Sequence, residues 1–216
     1  MTKVDVLVAD DHAIIRNGLR NILDDTEDLC CAATADNGNT LLSLVRARDW
    51  GLLVLDLSMP GRNGLELIKL VKAERPRLPI LVFTMHQEEQ YAVRAIRAGA
   101  AGYLTKESDG DLLLLAMRKV AAGGVYVNAK VAELLATEVS HSHSAPTHTF
   151  LSNREFEIFT RIVNGRSLTE IAEELALSVK TVSTHKSHIL EKMGLTHQVE
   201  LVRYALNHGL VDSAPD

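Results

Sequence analysis

L-L-V-L-D-L-S-M-P-G, residues 52–61, is the stretch on which the fold turns. Its four apolar residues, Leu52 to Leu55, are too few for a buried helix and suit a strand covered on both faces, and Asp56 stands just past their end. The same construction recurs outward in both directions. V-D-V-L-V-A (4–9) runs into Asp10 and Asp11, I-L-V-F (80–83) into Thr84, and G-Y-L-T (102–105) into Lys106. With a further run at 29–34, five strand-like segments alternate with amphipathic helical ones, and no tight hairpin turn intervenes. Parallel strands need such crossovers, so the fold expected here is α/β: a doubly wound, five-stranded parallel sheet with helices on both faces.

The 216 residues allow one domain of about 120 residues with a real core and a smaller second one. No apolar run approaches the roughly 20 residues of a membrane helix, and no signal-type start is present, so a cytoplasmic protein without a membrane partner is expected. Cys30 and Cys31 are adjacent and cannot staple distant segments, which makes them structural thiols of a reducing compartment. A formal charge of −5 argues against indiscriminate coating of nucleic acid but leaves room for a local basic face.

After Leu135 the sequence T-E-V-S-H-S-H-S-A-P-T-H-T-F is rich in Ser, Thr and His and reads as a linker. Its histidines, His141, His143 and His148, are taken as solvated linker residues, because no Cys or acidic pattern accompanies them. The domains expected are therefore 1–127, a partly helical linker over 128–150, and 151–216. The last is wholly helical in pattern. Ser152 with Glu155 and Ser167 with Glu170 form S-x-x-E capping boxes, Ser178 and Thr196 are N-caps of two more helices, and Gly165, Gly194 and Gly209 are placed to close three of the four. The bundle core is predicted at Phe156, Phe159, Ile162, Ile171, Leu175, Leu177, Val182, Ile189, Leu190, Leu201 and Leu206.

In the strand order 2-1-3-4-5, strands one and three are neighbours, so Asp10, Asp11 and Asp56 converge at the carboxyl edge where such sheets bind ligands. Three carboxylates that close repel one another unless a cation sits among them, and few, hard oxygen ligands suit Mg²⁺. No phosphate-cradling glycine loop is present, so a phosphoryl group would be held by the metal, Thr84 and Lys106 rather than arrive on a bound nucleotide. An ammonium and a divalent ion together neutralise equatorial oxygens, and Thr84 offers a short hydroxyl donor. Asp56, alone at its strand end, is the carboxylate best placed as nucleophile, while Asp10 and Asp11 organise metal and water.

These motifs, D-D at 10–11, D-L-S-M-P-G at 56–61, T-M-H at 84–86 and G-Y-L-T-K at 102–106, resemble the flavodoxin-like receiver domain of bacterial two-component response regulators. The resemblance implies that Asp56 accepts a phosphoryl group from a sensor histidine kinase. It further implies that the Ser58 backbone carbonyl joins Asp11 and Asp56 on Mg²⁺, and that Asp10 reaches the metal mostly through water. Thr84 and Tyr103 would form a switch pair, Lys106 would pair with a phosphoryl oxygen, and His86 stands where the family tunes dephosphorylation. Asn63 stands where an Asp is frequent, and no consequence is attached to it.

In the second half, the segment from Ser167 to Met193 reads as helix, tight turn, helix. On the second helix Val179, Val182, Ile189, Leu190 and Met193 share one arc, and Lys180, Ser183, Thr184, Ser187 and Glu191 the other. Short hydroxyls permit close approach to a major groove, and Lys180 at the helix N-terminus favours phosphate. Lys186 falls nearer the apolar arc and must snorkel. Residues 151–216 carry seven Lys/Arg against nine Asp/Glu, whereas 178–192 carry three against one. A bundle this acidic binds DNA weakly as a monomer, and two copies double the phosphate contacts, so dimerisation is a switch the charge balance allows.

L-S-N-R-E-F-E-I-F, L-S-V-K-T-V-S-T-H and E-K-M-G-L resemble the LuxR-type helix-turn-helix, which with the receiver makes the chain similar to the NarL/FixJ family of response regulators. That resemblance implies a four-helix domain binding double-stranded promoter DNA through Lys180, Thr181, Ser183, Thr184, Lys186 and Ser187, with the last helix, 197–207, as the contact of a phosphorylated homodimer. Two other readings of the same residues compete with this one. An aspartyl-phosphate hydrolase or phosphotransferase on a related α/β fold would want a D-x-D-x-T/V nucleophile motif, which the isolated D-L-S-M-P-G lacks, and a cap domain in place of a DNA-binding bundle. A phosphorylation-independent interaction module would not need the complete acidic set with Thr84 and Lys106.

Overall fold

The apolar runs become the strands β1 (Val4–Ala9), β2 (Leu29–Ala35), β3 (Leu52–Leu55), β4 (Ile80–Thr84) and β5 (Gly102–Thr105). All pair in parallel in the order β2-β1-β3-β4-β5, the doubly wound, flavodoxin-like order expected from the sequence. These coordinates are a computed structural model that describes residues 3–59, 64–86, 89–140 and 147–211. The chain divides into two compact units, Met1–Glu133 and Leu134–Asp216.

In the first unit the crossovers are the helices α1 (Ala13–Asp24), α2 (Gly38–Ala47), α3 (Gly64–Glu74), α4 (Glu89–Ala98) and α5 (Gly110–Ala121). Alternation along each strand divides the core in two. Val6, Val8, Leu52, Val54, Leu81 and Phe83 pack with Leu19 and Leu23 of α1 and with Leu113, Met117 and Val120 of α5. Leu7, Leu53 and Val82, equally buried, face the other side, where α2, α3 and α4 pack side by side. The loop after β3 folds back so closely that a β-carbon at Gly64 would collide with the backbone of Leu57. Trp50, two residues before β3, is buried, with its indole N–H donated to Leu44 O at 2.9 Å and the Arg48 guanidinium 3.9 Å above the ring. Asn63 lies outside the described residues.

Past α5 comes α6 (Ala129–Ser140), and after the undescribed 141–146, which hold His141 and His143, a 3-10 turn spans Thr147–Phe150. The helices α7 (Asn153–Val163), α8 (Leu168–Glu174), α9 (Val179–Met193) and α10 (Gln198–Asn207) complete the second unit. Both capping boxes form: Ser152 N–H donates to Glu155 Oε2 at 2.7 Å, and Ser167 N–H to Glu170 Oε2 at 2.8 Å, each with its reciprocal bond. Ser178 caps α9 through Thr181 N–H, and Gly165, Gly194 and Gly209 take positive φ values of 83°, 66° and 62°.

Four expectations are corrected. The N-cap of α10 is His197 and not Thr196, because Glu200, which closes the box, lies three residues beyond His197. Its Oε2 accepts from Thr196 N–H, His197 N–H and Thr196 Oγ1 at 2.7, 2.9 and 3.0 Å. Val179 and Leu206 are exposed rather than core. Val179 is the first residue of its helix and its side chain tilts back beyond the packed turn, while Leu206 sits on the face of α10 away from buried Leu201 and Ala205. His148 is no solvated linker residue: it is 1% exposed, its Nδ1 is 2.9 Å from Tyr204 Oη, and its ring meets those of Phe156 and Tyr204. The other predicted core residues are buried or half-buried, and Ile158 and Val163 join them.

Candidate functional site

Backbone ladders bring the five strand-end residues together. Asp10 N–H donates to Ala35 O (3.0 Å), Asp56 N–H to Ala9 O (2.8 Å) and Lys106 N–H to Thr84 O (2.8 Å), so each residue is the next rung of its strand, and Thr84 is itself the last residue of β4. Side chains then converge. Lys106 Nζ lies 2.7 Å from Asp10 Oδ2 and 2.7 Å from Asp56 Oδ2, and all three groups are buried. Burial pulls the Lys106 pKa down, but the hydrogen bonds and charges of Asp10 and Asp56 outweigh it, so the net shift is upward and the ammonium stays charged. Asp56 Oδ1 accepts from Ser58 N–H at 3.0 Å, which fixes the carboxylate.

Asp11 is more open and completes a group of oxygen atoms from Asp10, Asp11 and Asp56 that, with His12, lie within 4.8 Å of one another. Three carboxylates against one buried ammonium leave uncompensated negative charge on hard oxygen donors, which fits a small divalent cation such as Mg²⁺. Thr84 Oγ1 is fully buried and has no hydrogen-bond partner among the described residues, an orphan that costs about 1–3 kcal/mol unless something arrives to meet it. Tyr103 is buried and donates its hydroxyl to His86 O at 2.7 Å. The His86 ring stacks on Tyr91, and its Nε2 comes within 3.4 Å of Ser58 Oγ.

Two neighbours escaped the sequence reading. His12 N–H donates to Asp10 Oδ1 at 2.8 Å and its Nδ1 lies 2.8 Å from Asp11 Oδ1, while Arg16 Nη1 donates to Asp10 O at 2.6 Å. The run D-D-H was visible in the sequence, and Arg16 follows His12 by one helical turn.

In the second unit, α9 exposes Lys180, Ser183, Thr184 and Ser187, with Thr181 and Lys186 half-buried. Thr184 Oγ1 and Ser187 Oγ donate back to Lys180 O and Ser183 O, so their acceptor lone pairs face outward, and Thr181 Oγ1 pairs with Ser178 Oγ at 2.8 Å. Lys186 Nζ reaches Gln198 Oε1 at 2.9 Å, which binds α9 to the start of α10. Behind the helix Lys192 Nζ donates to Glu155 Oε2 at 2.7 Å. Burial raises the Glu155 pKa, yet Lys192 and Ser152 outweigh it and the group is held below its ordinary value. Burial and the nearby Arg154 push the His185 pKa down, so it adds no charge to the face at neutral pH.

Comparison with known proteins agrees with this arrangement. Residues 6–118 match the response regulator receiver domain, and residues 149–205 match the luxR family of bacterial regulatory proteins. The oxygen regulatory protein NreC of Staphylococcus haemolyticus is 40% identical over 214 residues, covering 96% of this chain and 99% of NreC. The response regulator GacA of Pseudomonas aeruginosa is 36% identical over 213 residues, covering 98% and 99%. The structure of the Salmonella typhimurium RcsB response regulator aligns with a TM-score of 0.70 at 28% identity, over 96% of this chain and 98% of that one. RcsB bound to promoter rprA in the presence of the phosphomimetic BeF3⁻ aligns with a TM-score of 0.66 at 27% identity, over 94% and 98%. A receiver joined to a luxR-type helix-turn-helix along nearly the whole chain places the protein in the NarL/FixJ family of response regulators, phosphorylation-controlled DNA-binding regulators of transcription rather than metabolic enzymes.

Proposed function

We propose that Asp56 is the phosphoacceptor of this regulator and that a sensor histidine kinase is the donor. The observation that carries the reading is the buried Lys106 ammonium, 2.7 Å from both Asp10 and Asp56 at the carboxyl edge of the sheet. An Asp56 oxygen attacks the phosphorus of a phosphohistidine, the P–O bond forms as the P–N bond breaks, and the leaving imidazole takes up a proton. Asp10, Asp11, Asp56 and the Ser58 carbonyl would hold Mg²⁺, which when bound supplies positive charge against the incoming oxygens. Lys106 exchanges a carboxylate oxygen for a phosphoryl oxygen, and Thr84 Oγ1 gains its missing acceptor. Tyr103 responds by changing its burial and its bond to His86. His86, whose Nε2 comes within 3.4 Å of Ser58 Oγ, tunes how readily the acyl phosphate is hydrolysed. The only turnover is slow self-phosphorylation and hydrolysis at Asp56.

The output is a population shift toward a DNA-binding dimer. Lys180, Thr181, Ser183, Thr184, Lys186 and Ser187 form the proposed DNA face, with Lys186 changing partner from Gln198 to phosphate. Exposed Val199 and Leu206 share a face of α10 with Arg203, which suits a second copy. The domain limits proposed are 1–127 for the receiver, 128–150 for the connection and 151–216 for DNA binding, with Thr147–Phe150 packed on the last. A chromosomal DNA partner supports a cytoplasmic location. No described helix is long and apolar enough to cross a membrane.

Incubation with a small phosphodonor and Mg²⁺ should add one phosphoryl group to the wild type and none to Asp56→Asn, read by intact-protein mass. Labelling of the variant at the wild-type level would remove Asp56 from the role.

A further inference from the structure

β5 ends the sheet, so its outer edge would present unpaired N–H and C=O groups. The chain covers that edge itself. After α5, Gly123 turns the backbone with a φ of 84°, and Tyr126 pairs in parallel with Gly102. Tyr126 N–H donates to Ala101 O at 2.9 Å, and Tyr126 O accepts from Tyr103 N–H at 2.9 Å. Gly102 permits the approach, because a β-carbon there would stand 3.2 Å from Tyr126 O, 2.8 Å from Leu81 Cδ1 and 2.9 Å from Val120 Cγ2. The Lys119 ammonium, 5.8 Å from the Tyr126 ring centroid, sits over the segment.

Three residues after Tyr126 the chain enters α6. Asn128 Oδ1 accepts from Val131 N–H at 2.8 Å, and Val131, 2% exposed, anchors the first turn. The helix then crosses the boundary between the two units at Glu133 and Leu134. Tyr103 is thus held twice, its hydroxyl by His86 O and its backbone N–H by Tyr126 O. Lys106 lies three residues further along the same chain. A displacement of β5 that follows Lys106 or Tyr103 therefore passes to the start of α6 through direct backbone hydrogen bonds.

We infer that Tyr126 is a positioning residue of the switch: paired to β5, it transmits the state of the phosphoacceptor pocket to α6 and so to the DNA-binding unit. The inference rests on the reading of Thr84 and Tyr103 as the switch pair. β5, Tyr126 and the first turn of α6 move as one body, which supplies the physically connected element that coupling between distant sites needs.

Tyr126→Pro removes the N–H donated to Ala101 and disrupts the pairing, whereas Tyr126→Phe keeps both backbone bonds. Each full-length protein is treated with a small phosphodonor and Mg²⁺, and its affinity for a promoter fragment selected from genomic DNA by the phosphorylated wild type is measured before and after. Wild type and Tyr126→Phe should gain roughly 5- to 150-fold on phosphorylation. Tyr126→Pro should take up the same amount of phosphoryl group and gain nothing. A Tyr126→Pro protein that keeps the wild-type gain overturns the inference, and a wild type that takes up no phosphoryl group overturns the reading beneath it. Hydrogen exchange on the wild type decides the matter should the proline variant not fold. On phosphorylation the amides of 129–136 should change their exchange rates while Tyr103 and Tyr126 stay protected; unchanged exchange over 129–136, or loss of protection at Tyr126, sinks the relay.

Discussion

At the scale of the residue, Thr84 sets stability against signalling. Its hydroxyl is buried with no hydrogen-bond partner among the described residues, so Thr84→Val removes an unsatisfied group at almost constant shape and should raise unfolding stability by about 1 kcal/mol in urea denaturation. The same change should abolish the phosphorylation-dependent gain in DNA affinity, and a variant that is both more stable and fully responsive would remove Thr84 from the switch. The five strand-end residues were legible in the sequence because a strand has a fixed direction and a parallel sheet gathers one kind of end at one edge. The run D-D-H puts His12 at hand, and its ring does come within 3.3 Å of Asp10 Oδ1, but the bond from the His12 backbone N–H and the bond of Arg16 to the Asp10 carbonyl are contacts that no pattern of side-chain types encodes.

At the scale of the element, the start of α10 is held by one carboxylate. Backbone hydrogen bonds from Thr196 and His197, then the Thr196 hydroxyl, lower the Glu200 pKa from 4.5 to about 2. A carboxylate depressed in the folded state stabilises fully above its unfolded pKa and loses that contribution as pH falls through the folded one. Glu200→Gln should therefore melt below the wild type at pH 7, and the gap in Tm should shrink below pH 4.5 and close near pH 2; a gap constant across that window would show that charge plays no part. The two S-x-x-E boxes were readable because Ser, Glu and the spacing all agree. The third was misread because the residue at the matching spacing is a histidine. The turn between α8 and α9 was readable as a turn, but its conformation was not: Ala176 adopts a φ of 51° where glycine would be the cheaper residue.

At the scale of the whole molecule, the parallel sheet and the two-unit plan followed from alternation and from the change of period after the polar run, both of which are long-range patterns, whereas the strand order came with the doubly wound fold class. The placement of His148 did not follow, because the buried group is an imidazole within a run of Ser and Thr. Charge sets the remaining expectation. With residues 151–216 net acidic and the basic surplus confined to 178–192, each lysine on that face carries a large share of the salt dependence. Lys180→Ala should weaken binding to all DNA sequences and reduce the slope of log affinity against log salt by about one. An unchanged slope in a fluorescence-anisotropy titration would move Lys180 off the phosphates. Trp50, finally, is the only tryptophan in the chain, and it belongs to the first unit, at the end of β3 remote from Asp56. Its emission is a built-in reporter for the melting of that unit alone, silent toward α7–α10. Denaturation followed at once by tryptophan fluorescence and by far-UV ellipticity will separate the stabilities of the two halves without a label or a truncation.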